Sequence, residues 1–187
     1  MNFNLNTKIR MRKILIVLFI FTIYNQNISA QEMFTTPDGK QYKATKTWNF
    51  ICENYALTGI LKTQIAKSDK GGILKIAIDV TDAEMYIGGT VYVYLEDFTI
   101  ITCTDKGIRQ NSGKEAIGFY SFSATEMNRL KASPIKDIRF FIKGKETAFS
   151  NKIGNFTAKN KINYFDGYDK TIRNSYETEI EIRSLYQ

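Results

Sequence analysis

Histidine is absent from all 187 residues, and this absence closes off more chemistry than any residue present opens. Without imidazole there is no Ser-His-Asp or Cys-His triad and no metal site built on histidine. Two cysteines, Cys52 and Cys103, are too few for a structural zinc site within one chain. Proline occurs only twice and no low-complexity tract is present, which argues against a disordered or linker-like chain. No self-similar period of about 20 to 50 residues appears, so a propeller or solenoid is not expected. The glycine pairs Gly71-Gly72 and Gly88-Gly89 lack the spacing and the following helix of a phosphate-binding loop.

Long apolar runs are also missing, with one informative exception at the start. Lys8, Arg10, Arg12 and Lys13 precede an unbroken apolar stretch from Ile14 to Phe21, and Ile28-Ser29-Ala30 supplies small residues for cleavage. This is the layout of an export signal, and it predicts a mature chain beginning at Gln31. The run falls short of the about 20 apolar residues of a spanning helix, and nothing like it follows. The expectation is a signal at residues 1–30, then one exported domain over 31–187, in the periplasm or outside the cell, with no membrane span after cleavage. Four of the 26 Lys and Arg lie in that signal and none of the 19 Asp and Glu do, so the mature charge falls from +7 to +3. The excess is dispersed, which excludes the concentrated basic face of a nucleic-acid binder.

What the chain has is aromatics, 13 Phe and 11 Tyr, in a strand-forming background. Asp38-Gly39 is a hairpin turn signal after a loose terminus at Gln31–Thr36, and Gln41 to Glu53 reads as a strand. A weaker run spans Leu57 to Lys67. In the next strand Leu74, Ile76, Ile78 and Val80 alternate with Lys75, Ala77 and Asp79. Val91, Val93 and Leu95 alternate with Tyr92 and Tyr94, and Glu96-Asp97 turns that strand into Phe98–Thr104. A polar loop, Asp105 to Glu115, leads to a strand from Ala116 to Phe122. Ser123-Ala124-Thr125-Glu126 has capping-box spacing and starts a short helix that ends by Ala132, before Pro134. Asp137 to Lys143 returns to strand, with Arg139 and Phe141 opposite Ile138, Phe140 and Ile142. After a tail with a loop near Asp166-Gly167, a C-terminal helix capped by Thr178 and Glu181 competes with a strand in which Tyr176, Thr178, Ile180 and Ile182 alternate. The fold class is mainly β, α+β at the margin. About seven to nine antiparallel strands form a β-sandwich or a strongly curled sheet around one short helix.

The stretches Tyr94-Leu95-Glu96-Asp97-Phe98-Thr99-Ile100-Ile101, Ser123-Ala124-Thr125-Glu126-Met127-Asn128-Arg129-Leu130-Lys131 and Ile135-Lys136-Asp137-Ile138-Arg139-Phe140 resemble a pattern of small secreted hypothetical proteins of Bacteroidota. In these a hairpin precedes a short helix and a strand. The resemblance covers about 50 residues and implies a compact, mostly antiparallel exported domain, with no catalytic residue to carry over.

Cys52 and Cys103 are either a disulfide, which would stabilise by roughly 4 kcal/mol through loop closure, or two separate buried thiols. Ser133-Pro134-Ile135-Lys136 matches the Ser-x-x-Lys pattern, but the serine follows a helix instead of starting one and the partner motifs are missing. Asp79, Asp82, Glu84, Glu96 and Asp97 could do carboxylate chemistry or, for the first three, gather a calcium ion, although strand faces and turns account for them. Asn155-Phe156-Thr157 matches a glycosylation pattern that chance explains. The remaining feature is the face bearing Tyr92, Tyr94, Arg139 and Phe141, which suits a glycan or a protein partner unless a second layer covers it. The expected function is a non-enzymatic binding or structural module of the cell envelope, without a cofactor. The alternative is a carboxylate-dependent hydrolase acting on an envelope or extracellular polymer.

Overall fold

The computed structural model describes residues 31–53, 59–144, 153–164 and 174–187. The export signal expected at residues 1–30 lies outside them. The loop expected near Asp166-Gly167 also lies outside them. Twelve described strands are β1 (Glu32–Thr35), β2 (Gln41–Ala44), β3 (Trp48–Ile51), β4 (Ile60–Ser68), β5 (Gly71–Asp79), β6 (Tyr86–Ile87), β7 (Val91–Leu95), β8 (Ile100–Cys103), β9 (Arg109–Ser112), β10 (Glu115–Ser123), β11 (Ile135–Lys143) and β12 (Gly154–Lys159). The helices are α1 (Ala124–Ala132) and α2 (Thr178–Ser184). Neither is long and apolar enough to cross a membrane.

All the described strands join one antiparallel sheet in the order β8-β7-β11-β12-β3-β4-β5-β10-β9, with β2 added to β4 and β6 to β11. Of the two expected architectures, the strongly curled sheet is the one formed. Alternation drives the curl, because one side of every long strand is apolar and the only way to hide it is to wrap the sheet around it. Trp48, Phe50, Leu61, Ile65, Leu74, Ile76, Ile78, Val91, Val93, Leu95, Phe140 and Ile142 fill the interior as one cluster. Each such side chain contributes roughly 1.5–3 kcal/mol of transfer free energy.

The seam between the β9–β10 end and the β6–β7 region is laced by side chains. Tyr120 donates from its hydroxyl to the Gly89 carbonyl (3.3 Å), and Asn111 donates to the carbonyls of Ala83 and Met85 (3.0 and 2.9 Å). The Arg109 guanidinium lies 4.5 Å from the Tyr86 ring centroid.

The Ser123 capping box forms as the spacing predicts: Ser123 Oγ accepts from the Glu126 amide, and the Glu126 carboxylate accepts from the Ser123 amide. Met127 and Leu130 of α1 then close the core. Several expectations are corrected. Gln31–Thr36 is not loose, because Glu32–Thr35 pairs with Gln41–Ala44 and Phe34 is buried against Phe119. Gln41 to Glu53 is two strands, since the chain kinks at Thr45, whose amide and hydroxyl both bond to Ile65 of β4. The polar loop after Asp105 contains β9, held by the β10 ladder despite its polar sequence. The C-terminus is the helix α2, without the expected cap: Thr178 Oγ1 is turned inward to accept from the Ile135 amide (2.8 Å), and Glu177 makes no side-chain cap.

Cys52 and Cys103 do not form a disulfide; both are buried thiols. Cys52 follows β3 and Cys103 ends β8, with β12, β11 and β7 between them in the strand order, so each thiol enters the core from its own strand. Burial pushes the Cys103 thiol up to about 12, so it is an inert core group.

Candidate functional site

The outer face of β8, β7, β11 and β12 is built by strand register. Opposite Tyr94 stand Ile100 on β8 and Asp137 on β11, and Asp137 in turn faces Lys159 on β12. One step along, Tyr92 lies between Thr102 and Arg139, and Arg139 faces Thr157. Phe141 and Asn155 form a third row. The four residues singled out from sequence therefore share one surface, about 14 Å across three strand spacings. Tyr92, Tyr94 and Phe141 are half-buried and Arg139 is exposed.

A second layer over this face was the competing expectation, and the described elements do not supply one. The helix α1 packs on β5, β10 and α2, with Met127 and Leu130 turned into the core. Phe156, from the aromatic tail, enters the core through β12 and lies 6.0 Å from the Phe140 ring. Tyr92, Tyr94 and Arg139 have no side-chain hydrogen-bond or ion-pair partner among the described residues.

Asp137 is the member that sequence reasoning did not select. A bulge between Ile135 and Asp137 shifts the register, so Ile135 points inward beside Leu95 while Asp137 still faces outward beside Tyr94. Its carboxyl is raised above the usual range, chiefly because burial strips its water. Lys136 and Lys159 pull it down, and Glu96 and Glu53 push it up. The signal was in the alternation Asp137-Arg139-Phe141, which puts all three on one side.

The bulge frees two backbone groups at Ile135, and both are satisfied from the tail. The Ile135 amide donates to Thr178 Oγ1, and its carbonyl accepts from Asn160 Nδ2 at 2.7 Å. Asn160 also donates to the Tyr176 carbonyl and accepts from the Tyr176 amide (3.0 and 2.9 Å). Buried polar support thus fixes the strand that carries Asp137 and Arg139.

The carboxylates considered for catalysis do not converge in one cleft. Asp79 ends β5 beside Glu115 on β10, where Lys62 lies 3.9 Å from Asp79 and 2.6 Å from Glu115. Asp82 and Glu84 lie in the exposed loop that follows, Asp82 accepting from the Glu84 amide. Glu96 and Asp97 occupy the β7–β8 turn, where Asp97 accepts from the Thr99 amide. Among the described residues no group of three or more acidic or cysteine side chains is placed to hold a metal ion. Ser133 is buried at the end of α1, and its hydroxyl accepts from the Asp97 amide (3.1 Å), a structural use that accounts for the Ser-x-x-Lys match. Comparisons with protein-family models, with curated proteins and with solved structures each return no match.

Proposed function

We propose that this chain is an exported, non-enzymatic binding module of the cell envelope, acting in the periplasm or outside the cell, whose ligand lies on the outer face of β7 and β11. One observation carries the reading: strand register sets Tyr92 beside Arg139 and Tyr94 beside Asp137 on a face that no described element covers. Tyrosine rings offer flat apolar surface with a polar tip, and a carboxylate and a guanidinium next to them supply a planar acceptor and a planar donor. That combination suits a glycan, whose rings present apolar faces edged by hydroxyls. An envelope protein is the other partner class such a face suits. The hydrolase alternative draws no support from the carboxylate positions, since Lys62 engages Asp79 and Glu115 and the other four lie in separate turns and loops.

The test is a thermal-shift screen of residues 31–187 against polysaccharide fragments, peptidoglycan pieces and calcium. A ligand at 100 times its dissociation constant adds roughly 2.7 kcal/mol, or about 5 to 11 °C for a domain of this size. A glycan-induced shift that disappears in a Tyr92→Ala, Tyr94→Ala double variant supports the reading. A shift that survives the double substitution removes this face as the site.

A further inference from the structure

Phe98, at the tip of the β7–β8 hairpin, is 88% exposed and sits at φ +66°, a left-handed conformation that bulky side chains rarely adopt. It therefore bears a backbone strain and an unburied aromatic ring at the same position. Nothing about the tip is loose. The Leu95 amide donates to Thr99 O, Glu96 to Pro134 O, Asp97 to Ser133 Oγ, Phe98 to Leu95 O and Thr99 to the Asp97 carboxylate. A strained residue held by bonds on every side is a preorganised one, and what it presents is a ring flanked by two carboxylates, Glu96 and Asp97. Neither carboxylate has an ion-pair partner among the described residues.

A complementary surface exists elsewhere on the same chain. Beside the β1–β2 hairpin, on the outer face of β5 and β10, lies a largely apolar hollow of about 470 Å³ lined by Pro37, Tyr42, Ile73, Ile108 and Phe119, and by the carboxylate of Asp38, which Lys40 neutralises. It adjoins a second hollow of about 590 Å³, which shares Tyr42 and Ile73 and is bordered by Lys70 and Lys106. Ile108 is 42% exposed on the rim. Lys40 also borders the second hollow but is held by Asp38 at 2.9 Å, whereas Lys70 and Lys106 have no ion-pair partner among the described residues. Asp69 is the carboxylate lining that hollow, so its rim remains net positive.

We propose that the Phe98 knob of one copy of this chain seats in the Tyr42–Ile108–Phe119 hollow of a second copy, with Glu96 and Asp97 meeting Lys70 and Lys106. The ring recovers the burial that its own fold denies it, and the two uncompensated charge pairs neutralise each other. Knob and hollow are different surfaces, so the contact is heterologous unless two copies exchange knobs reciprocally.

Gln31–Gln187 is a compact unit holding every described element, so it can be used for sedimentation velocity. Association should appear as concentration rises from about 10 μM to 1 mM, the range of a weak contact, and should weaken with added salt. Phe98→Ala and the Lys70→Glu, Lys106→Glu pair should each weaken it by about tenfold or more, as should Glu96→Lys, Asp97→Lys. The two charge-reversed variants, monomeric alone, should associate when mixed, because reversed knob then meets reversed hollow. A parent that stays monomeric throughout, association indifferent to Phe98, or a mixture that fails to associate would each overturn the proposal.

Discussion

Asp137 bears a burial cost in the folded chain. Its carboxyl is raised by burial, so the folded chain holds this proton more tightly than the unfolded one. The penalty is therefore fully present above the raised value, and it fades as pH falls to the ordinary carboxylate range, where both states are protonated. Asp137→Asn should melt higher than the parent near neutral pH, and the gap should close by about pH 3. A thermal melt series across that range tests the sign, and an unchanged gap would show that the shift has no linkage to folding. Phe98 has a comparable cost in its backbone. Phe98→Gly should raise unfolding free energy by roughly 1 kcal/mol despite losing a whole ring, because glycine adopts this conformation without strain and the ring contributes no burial. Urea unfolding reads this directly, and a loss of stability would mean that the ring packs after all. A costly carboxylate and a costly aromatic, both on outward surfaces, are the kind of feature retained for contact with something else.

Among the elements, the β4–β5 turn shows why glycine pairs mattered for a reason unrelated to phosphate. A Cβ on Gly71 would stand 2.1 Å from Phe122 O and 2.6 Å from Ser123 C, both backbone atoms, and Gly71 has a φ of +145°. One on Gly72 would stand 2.3 Å from Met127 Sδ. The bare backbone of the turn lets β10 and the start of α1 approach β5 closely. Gly71→Ala should cost about 3–5 kcal/mol, from strain and clash together, and denaturant titration should show it at once. Elements with strong local patterns were legible in the chain: the alternation of β5, β7 and β11, and the Ser123 capping box. Those held by partners were not. The sequence of β9, Arg-Gln-Asn-Ser, carries no apolar pattern, and only the β10 ladder makes it a strand. Thr178 has the right spacing for a cap, yet the Ile135 amide competes for its hydroxyl and wins, since a buried unsatisfied amide costs more than an exposed helix end.

Across the whole molecule, Asn160 ties the tail to the strand that carries the proposed binding face. It holds Ile135 and Tyr176 through three hydrogen bonds and so braces the β11 bulge that sets Asp137 outward. Asn160→Ala strands those backbone groups and should cost roughly 3 kcal/mol. Its second effect should be weaker ligand binding at the Tyr92–Arg139 face, although Asn160 does not lie on it. A variant that loses stability but binds as tightly as the parent would show that the bulge does not depend on this brace.

The chain alone determined the alternating faces, the α1 start, the mainly β composition and the lack of imidazole chemistry, because each depends on residue type and on spacings of a few positions. It also marked Tyr92, Tyr94, Arg139 and Phe141 as outward residues on their own strands. Only the tertiary structure decided that β7 and β11 are neighbours, so that those four form one surface, and that Cys52 and Cys103 are separated by the strands between them. Strand order is a long-range property: it follows from how one curled sheet can bury all its apolar sides together, and no local pattern encodes it.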